Sequence, residues 1–266
     1  MLEIIQVLLI KVVKLKELDL FYPVIYSFNM SKAILLVFLL LAWLFAPNAV
    51  FAENRNTLRL GVIDTGLNLK DPRFKDVLCS KGHLDITGEG ITDYHSHGTH
   101  IAGIIKKYAG RANYCMVIIK YYSVYASDAQ NAANLTRAFN EIAFQKITLV
   151  NLSSVGKNPI PSELEALKLS PHTKFFVAAG NEGKNLDLLE NTLYPFGYGL
   201  KNIYSVGNLT EYGAIANNSN YGNKVSFWEV GENVISTLPN GKIGYMSGTS
   251  MSCAVKTGKY IYEHYY

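Results

Sequence analysis

Residues 58–66, Leu-Arg-Leu-Gly-Val-Ile-Asp-Thr-Gly, form the first of several short apolar runs that recur along the chain. Further runs rich in β-branched and aromatic residues occupy residues 116–121, 148–152, 174–178, 203–206 and 225–227. Segments with helical spacing of apolar residues lie between several of these runs, at 99–107, at 129–145 and from Pro161 onwards. Buried strands that alternate with amphipathic helices predict an α/β fold, with a parallel sheet covered on both faces.

The composition is that of a globular protein. The chain has 266 residues, of which 49% are hydrophobic and 17% charged, and this excludes a disordered or collagen-like protein. The net charge is +4 and no basic stripe is present, so nothing indicates nucleic-acid binding. No Pro/Gly/Ser-rich linker divides residues 53–266, and we predict that they form one domain.

The first 52 residues are predicted to lie outside this domain. From Met30 a positive residue, Lys32, precedes an uncharged apolar run of 13 residues, and small side chains precede Glu53. This layout is typical of a secretory signal peptide at 30–52, and it predicts a secreted or periplasmic protein. The alternative is an uncleaved anchor, which would be the chain's only membrane contact. Residues 1–29 are either untranslated, with Met30 as the true start, or an amphipathic extension; Pro23 favours the first interpretation.

Three loops at the carboxyl ends of predicted strands or at the starts of predicted helices carry candidate functional residues, because function gathers at such positions in parallel sheets. Asp64 ends the first run, His97 lies in His-Ser-His-Gly-Thr-His at 95–100, and Ser250 lies in Gly-Thr-Ser-Met-Ser-Cys-Ala at 248–254. Taken singly, Asp64 is equally explained as a turn residue and Ser250 as a helix N-cap. Taken together, they follow the chain order Asp, His, Ser of one type of catalytic triad.

The segments around these residues resemble the signature segments of subtilisin-like serine proteases. The matching stretches are Val-Ile-Asp64-Thr-Gly, His97-Gly-Thr-His-Ile-Ala-Gly and Gly-Thr-Ser250-Met, with Phe-Val-Ala-Ala-Gly-Asn181-Glu-Gly and Ser236-Thr-Leu-Pro between the second and third. The resemblance covers residues 58–258. It implies a three-layer α/β/α fold and a serine endopeptidase that acts on polypeptides.

The resemblance also assigns catalytic roles to four residues. Ser250 would be the nucleophile, His97 the general base and later the general acid, and Asp64 the group that holds the imidazole tautomer. The Asn181 side-chain amide and a backbone N–H at the start of the serine helix would bind the oxyanion. A turn asparagine between glycines is the alternative interpretation of Asn181.

Substrate binding is expected from the same resemblance. An extended substrate would add as a strand beside residues 121–123 and 152–156, through backbone hydrogen bonds. Small residues at 178–180 would line the pocket for the side chain before the scissile bond. The peptide bond between Tyr194 and Pro195 resembles one that is cis in the family. The candidate substrate-binding residues are Tyr121, Ser153, Ser154, Gly156, Ala178 and Gly180.

The chain departs from the family pattern in ways that leave alternatives open. No region corresponds to an N-terminal pro-domain, so we expect either unaided folding or a separate folding helper or inhibitor chain. The resemblance leaves room for calcium, but no calcium site is identifiable and no other cofactor is implied. A catalytically inactive binding module is one alternative function. A zinc hydrolase that uses His95, His97 and His100 is another, although later metal ligands are scarce.

Three cysteines are present, and two are expected to pair. Export would place the chain in an oxidising compartment, and Cys79 and Cys115 lie in segments that reach the same side of the predicted sheet. We therefore predict a disulfide between them, with two unrelated buried thiols as the alternative. Cys253 follows Ser250 on an apolar helix and is predicted to stay free.

Overall fold

The computed structural model describes residues 57–266, and the predictions for residues 1–29 and 30–52 lie outside them. Within the described residues the main sheet has seven strands, all parallel to their neighbours, in the order β2-β3-β1-β4-β5-β6-β7. The strands are β1 (Leu58–Asp64), β2 (Leu84–Asp85), β3 (Tyr114–Lys120), β4 (Leu149–Leu152), β5 (Lys174–Ala178), β6 (Ile203–Leu209) and β7 (Phe227–Val230).

Helices cover both faces of this sheet, which confirms the predicted α/β/α layering. On one face α1 (His97–Ala109) packs against α4 (Thr249–Tyr265), and on the other α2 (Asp128–Phe144) packs against α3 (Pro161–Lys168). An antiparallel hairpin of β8 (Val234–Thr237) and β9 (Ile243–Met246) leads into α4.

Strand β1 shows why this sequence forms a central strand. Leu60 and Val62 are buried in the core beneath α1 and α4, whereas Ile63 is buried in the core beneath α2 and α3. A strand that is apolar on both sides is stable only between two helical layers. The strand order reverses at β1, whose neighbours are β3 and β4, so the loops after β1 and β4 diverge around a crevice.

The structure extends the sequence-based elements at several points. The run at 225–227 becomes a strand that begins only at Phe227, and β2, β8 and β9 are strands in addition to those predicted. The bond between Tyr194 and Pro195 is cis, as the resemblance implied. Among residues 57–266 no helix combines the length and the apolarity needed to cross a membrane.

Cys79 and Cys115 are joined by a disulfide, with their Cα atoms 4.9 Å apart. Cys115 lies on β3, and Cys79 lies in the segment that follows β1 and runs beside β3. The third cysteine, Cys253, is free and fully buried on α4, and burial raises the pKa of its thiol. A thiol with a raised pKa in an apolar site is chemically inert.

Candidate active site

Asp64 and His97 form a close pair at the carboxyl edge of the sheet. Asp64 is the last residue of β1 and His97 is the first residue of α1, and Nδ1 of His97 lies 2.7 Å from Oδ1 of Asp64. Burial lowers the pKa of His97, but the charge and hydrogen bond of Asp64, together with the charge of Asp93, outweigh it and leave the pKa raised. The surroundings of His97 therefore favour an imidazolium ion.

The buried carboxylate of Asp93 fixes the start of α1. Its oxygens accept hydrogen bonds from the backbone N–H groups of residues 95, 96 and 99 and from the hydroxyls of Thr65 and Thr99. These bonds hold Ser96 in a left-handed conformation with φ of 78°. Thr65 in turn donates its backbone N–H to Asp64 at 2.8 Å. Asp93 thus connects the two chain segments that carry Asp64 and His97.

Ser250 lies in the first turn of α4, which packs against α1. Its Oγ donates to the carbonyl of Ser153 at 3.0 Å. The hydroxyl of Ser153 donates back to the carbonyl of Ser250 at 3.1 Å. A hydroxyl that donates to a carbonyl in this way has to leave that bond before it can donate to a base, and catalytic hydrogen bonds commonly tighten only when substrate binds.

Asn181 presents its amide beside the serine helix. Its Oδ1 accepts the backbone N–H of Thr249 at 2.8 Å and the Thr249 hydroxyl at 3.1 Å, which leaves Nδ2 as the free end of the exposed side chain. Gly248, with φ of +141°, permits this approach, since a Cβ there would lie 3.1 Å from Oδ1 of Asn181. The amide donor and the N-terminus of α4 therefore face the same region.

In the segment 121–123 the backbone groups of Tyr121 and Ser123 are paired within the protein. The N–H of Tyr121 donates to the Asp64 carbonyl, and the Tyr121 carbonyl accepts the side-chain amide of Asn134. Both backbone groups of Ser123 are paired with the side-chain amide of Asn131. Tyr121 itself is buried, whereas the N–H and carbonyl of Tyr122 make no hydrogen bond within the described residues and remain available to a substrate strand.

The opposite segment, 152–156, contains backbone groups that make no hydrogen bond within the described residues. The N–H and carbonyl of Gly156 are paired with Tyr194 across the loop. The backbone groups of Ser154 and Val155 make no hydrogen bond within the described residues. A cavity of about 180 Å³ lies between the two segments; it is lined by Asp64, Thr65, His95, His97, Tyr121, Tyr122, Ser153 and Ser154.

The pocket expected at residues 178–180 has different walls. Ala178 is buried at the end of β5 and does not line the neighbouring cavity of about 90 Å³. A Cβ on Gly180 would point at Asn220, Glu182 and Leu193, so glycine leaves this space open. These polar walls were not predicted from the sequence. The cavity is lined by Lys157, Glu182, Lys184, Glu190, Asn191, Thr192, Leu193 and Asn220.

The three histidines at 95–100 do not converge. The His95 and His97 ring centroids are 6.4 Å apart, and His97 faces Asp64. His100 is fully buried, and its Nε2 forms a hydrogen bond of 3.2 Å with the Gly244 carbonyl. Within residues 57–266 no three His, Cys, Asp or Glu side chains group as metal ligands. The three histidines that the zinc-hydrolase alternative requires are therefore not arranged as a metal site.

Residues 55–260 match the model of the Subtilase family, and this match spans most of the chain. The chain therefore belongs to the subtilase family. Its relatives include the major intracellular serine protease of Bacillus subtilis (strain 168), 30% identical over 217 residues, and an intracellular serine protease of Paenibacillus polymyxa, 29% identical over 220 residues. These alignments cover 76% and 77% of this chain, and 66% of each relative's length.

Solved structures show the same fold. A cold adapted subtilisin-like serine proteinase has a TM-score of 0.65 at 22% identity, with 82% of this chain and 86% of that chain covered. A lanthipeptide protease has a TM-score of 0.64 at 22% identity, with 76% and 72% covered. The predicted subtilisin-like architecture is confirmed.

Proposed function

We propose that residues 53–266 are a serine endopeptidase domain that hydrolyses polypeptides. The observation that carries the proposal is the 2.7 Å contact between Asp64 and His97 at the edge where the N-terminus of α4 brings in Ser250. The names of the relatives, both serine proteases, support the same class of reaction. A binding module would need neither a raised histidine pKa nor an amide donor beside a serine.

The proposed reaction follows from the positions of these groups. His97 takes the Ser250 proton as Oγ attacks the scissile carbonyl, and the charge of Asp64 stabilises the imidazolium that forms. Nδ2 of Asn181 and a backbone N–H at the start of α4 stabilise the oxyanion. His97 then protonates the leaving amine, and water releases the acyl group in a second, equivalent step.

A fluorophosphonate probe should label the full chain at Ser250, because only an activated serine attacks such an electrophile. Ser250→Ala should abolish labelling, whereas Ser80→Ala, which removes an exposed serine, should leave it intact. Peptide mapping by mass spectrometry locates the adduct, and a chelator should not affect its formation. Stoichiometric labelling that survives Ser250→Ala would overturn the assignment of the nucleophile.

We further infer that the chain is exported and loses its leader before Glu53. The disulfide between Cys79 and Cys115 supports this inference, since such bonds persist in oxidising compartments. The two relatives described above have the word intracellular in their names, so they do not support export of this chain. Exported protein should begin at Glu53 in N-terminal mass spectrometry, and after denaturation only Cys253 should react with an alkylating agent. Full-length chain retained in the cytosol with three reactive thiols would contradict export.

A further inference from the structure

The segment that carries Asn181 is held by a buried asparagine, Asn220, which takes no part in the proposed reaction. Asn220 is 1% exposed. Its Oδ1 accepts the backbone N–H groups of Glu182 at 3.2 Å and of Lys184 at 2.9 Å. Its Nδ2 donates to the Ala179 carbonyl at 2.9 Å and to the Glu182 carboxylate at 2.7 Å. Both ends of this amide are therefore bonded to residues that flank Asn181 in the chain.

The main chain of Asn181 depends on its neighbours for its position. Within the described residues, neither its N–H nor its carbonyl makes a hydrogen bond. The preceding residue is fixed twice, because the Gly180 carbonyl accepts the N–H of Asn220 at 3.0 Å and the Gly180 N–H donates to the Thr249 hydroxyl at 3.1 Å. Asn220 packs directly against this glycine, since a Cβ there would lie 2.4 Å from Nδ2 of Asn220. The direction in which the Asn181 side chain leaves the backbone is thus set by the flanking residues.

A chain of hydrogen bonds connects Asn220 back to the serine helix. The Ser219 hydroxyl accepts the backbone N–H of Asn208, on β6, at 2.9 Å and donates to the Asn220 carbonyl at 2.9 Å. Oδ1 of Asn208 accepts the hydroxyl of Ser252, on α4, at 3.2 Å. These side chains are almost completely buried. The start of α4 in turn binds Oδ1 of Asn181, so the two proposed oxyanion donors belong to one connected framework.

We propose that Asn220 is a positioning residue, which fixes the Asn181 amide relative to the start of α4. This role rests on the proposed protease function. Asn220 borders the cavity at Gly180, but both ends of its amide are bonded within the protein, so it acts on the oxyanion through Asn181. Oxyanion donors stabilise the transition state most when they are in place before charge develops, and a displacement of about 1 Å can cost roughly 10²-fold in rate.

The first test is a double-mutant cycle on the hydrolysis of succinyl-Ala-Ala-Pro-Phe p-nitroanilide by the full chain. Asn220→Ala should lower kcat roughly 10- to 100-fold and change KM less than about threefold, because a displaced amide weakens mainly the transition state. In an Asn181→Ala background the same substitution should lower kcat by less than about threefold, since no amide is left to position. Equal losses in the two backgrounds would overturn the proposal, because a general effect on the structure does not depend on Asn181.

Two further variants support this cycle. Asn218→Ala removes an exposed side chain close to Asn220 in the chain; its carbonyl, which accepts the Gly183 N–H, is retained, and kcat should be unchanged. Asn220→Asp has nearly the same shape as the wild-type residue and replaces the alanine variant if that protein does not fold. It keeps the acceptors for two backbone N–H groups but loses the donor to the Ala179 carbonyl, so its loss of kcat should also depend on Asn181.

The second test does not depend on catalysis. It measures hydrogen exchange by NMR in a Ser250→Ala background, where no self-digestion interferes. Asn220→Ala should make the N–H groups of Glu182 and Lys184 exchange roughly three- to tenfold faster, the equilibrium equivalent of one net hydrogen bond, and leave exchange in β5 unchanged.

The two tests separate the role of Asn220 from the assigned function. If the wild type neither hydrolyses the anilide nor reacts with a fluorophosphonate while exchange follows this pattern, the protease function fails and Asn220 still holds the segment around Asn181. Unchanged exchange at both N–H groups refutes the role of Asn220, whatever the activity.

Discussion

Replacing His97 by alanine should lower kcat by roughly 10⁶-fold, the size of the loss when the triad histidine of subtilisin is removed. Without His97, the Ser250 hydroxyl stays protonated near neutral pH and is a poor nucleophile. Neither Asp64, which lies on the far side of the imidazole, nor the pocket residue His95 can take its place. The measurement is steady-state hydrolysis of the substrate succinyl-Ala-Ala-Pro-Phe p-nitroanilide, with active sites counted by fluorophosphonate titration of the wild type.

A control variant separates this effect from loss of structure. His172→Ala removes an exposed histidine in the turn between α3 and β5 and should leave kcat unchanged. Circular dichroism should show that both variants are folded. Turnover by His97→Ala within a factor of ten of the wild type would exclude His97 as the general base, and with it the mechanism proposed for the site.

Asn181→Ala should lower kcat by roughly 10²–10³-fold, about 3–4 kcal/mol of transition-state stabilisation, with a much smaller change in KM. The reason is that Thr249 holds Oδ1, which leaves the exposed Nδ2 as the amide donor to the oxyanion in the proposed reaction. A ground-state carbonyl gains less from this donor than the oxyanion does. A rise in KM with no change in kcat would show that Asn181 contributes to substrate binding alone.

The matched control for this substitution is Asn240→Gly. Asn240 is exposed at the end of the β8–β9 hairpin and has φ of +59°, a conformation that glycine adopts without strain. Its side chain lines neither cavity of the candidate site. Activity equal to that of the wild type is expected, and it would show that loss of an exposed asparagine amide has no general effect.

The catalytic candidates could be predicted because each lies in a short local motif at the end of a strand or the start of a helix. Asp64 and His97 are in contact, as the motifs implied. Asp93 was missed, although a buried carboxylate four residues before the histidine is the natural N-terminal cap for α1. An aspartate four residues before a histidine is a weak sequence signal for such a cap, because aspartate is common in exposed turns for unrelated reasons.

The substrate-binding predictions depend on contacts distant in sequence, which residue patterns do not report. Whether Tyr121 and Ser123 have free backbone groups is decided by Asn131 and Asn134, which reach them from α2. The walls of the cavity at Gly180 come from residues on either side in the chain, such as Lys157 and Asn220. Periodicity and spacing report which face of an element is buried. They do not report which side chain forms a given hydrogen bond.

The position of the nucleophile also has a consequence for biosynthesis. Asp64 ends the first described strand, whereas Ser250 lies on the last described helix, so nearly the whole domain must leave the ribosome before the two can meet. Contacts of such sequence separation form late and slowly during folding. A nascent chain that ends before Thr249 carries Asp64, His97 and Asn181 but lacks Ser250, the proposed nucleophile. The proposed activity therefore arises only when synthesis of the domain is almost complete.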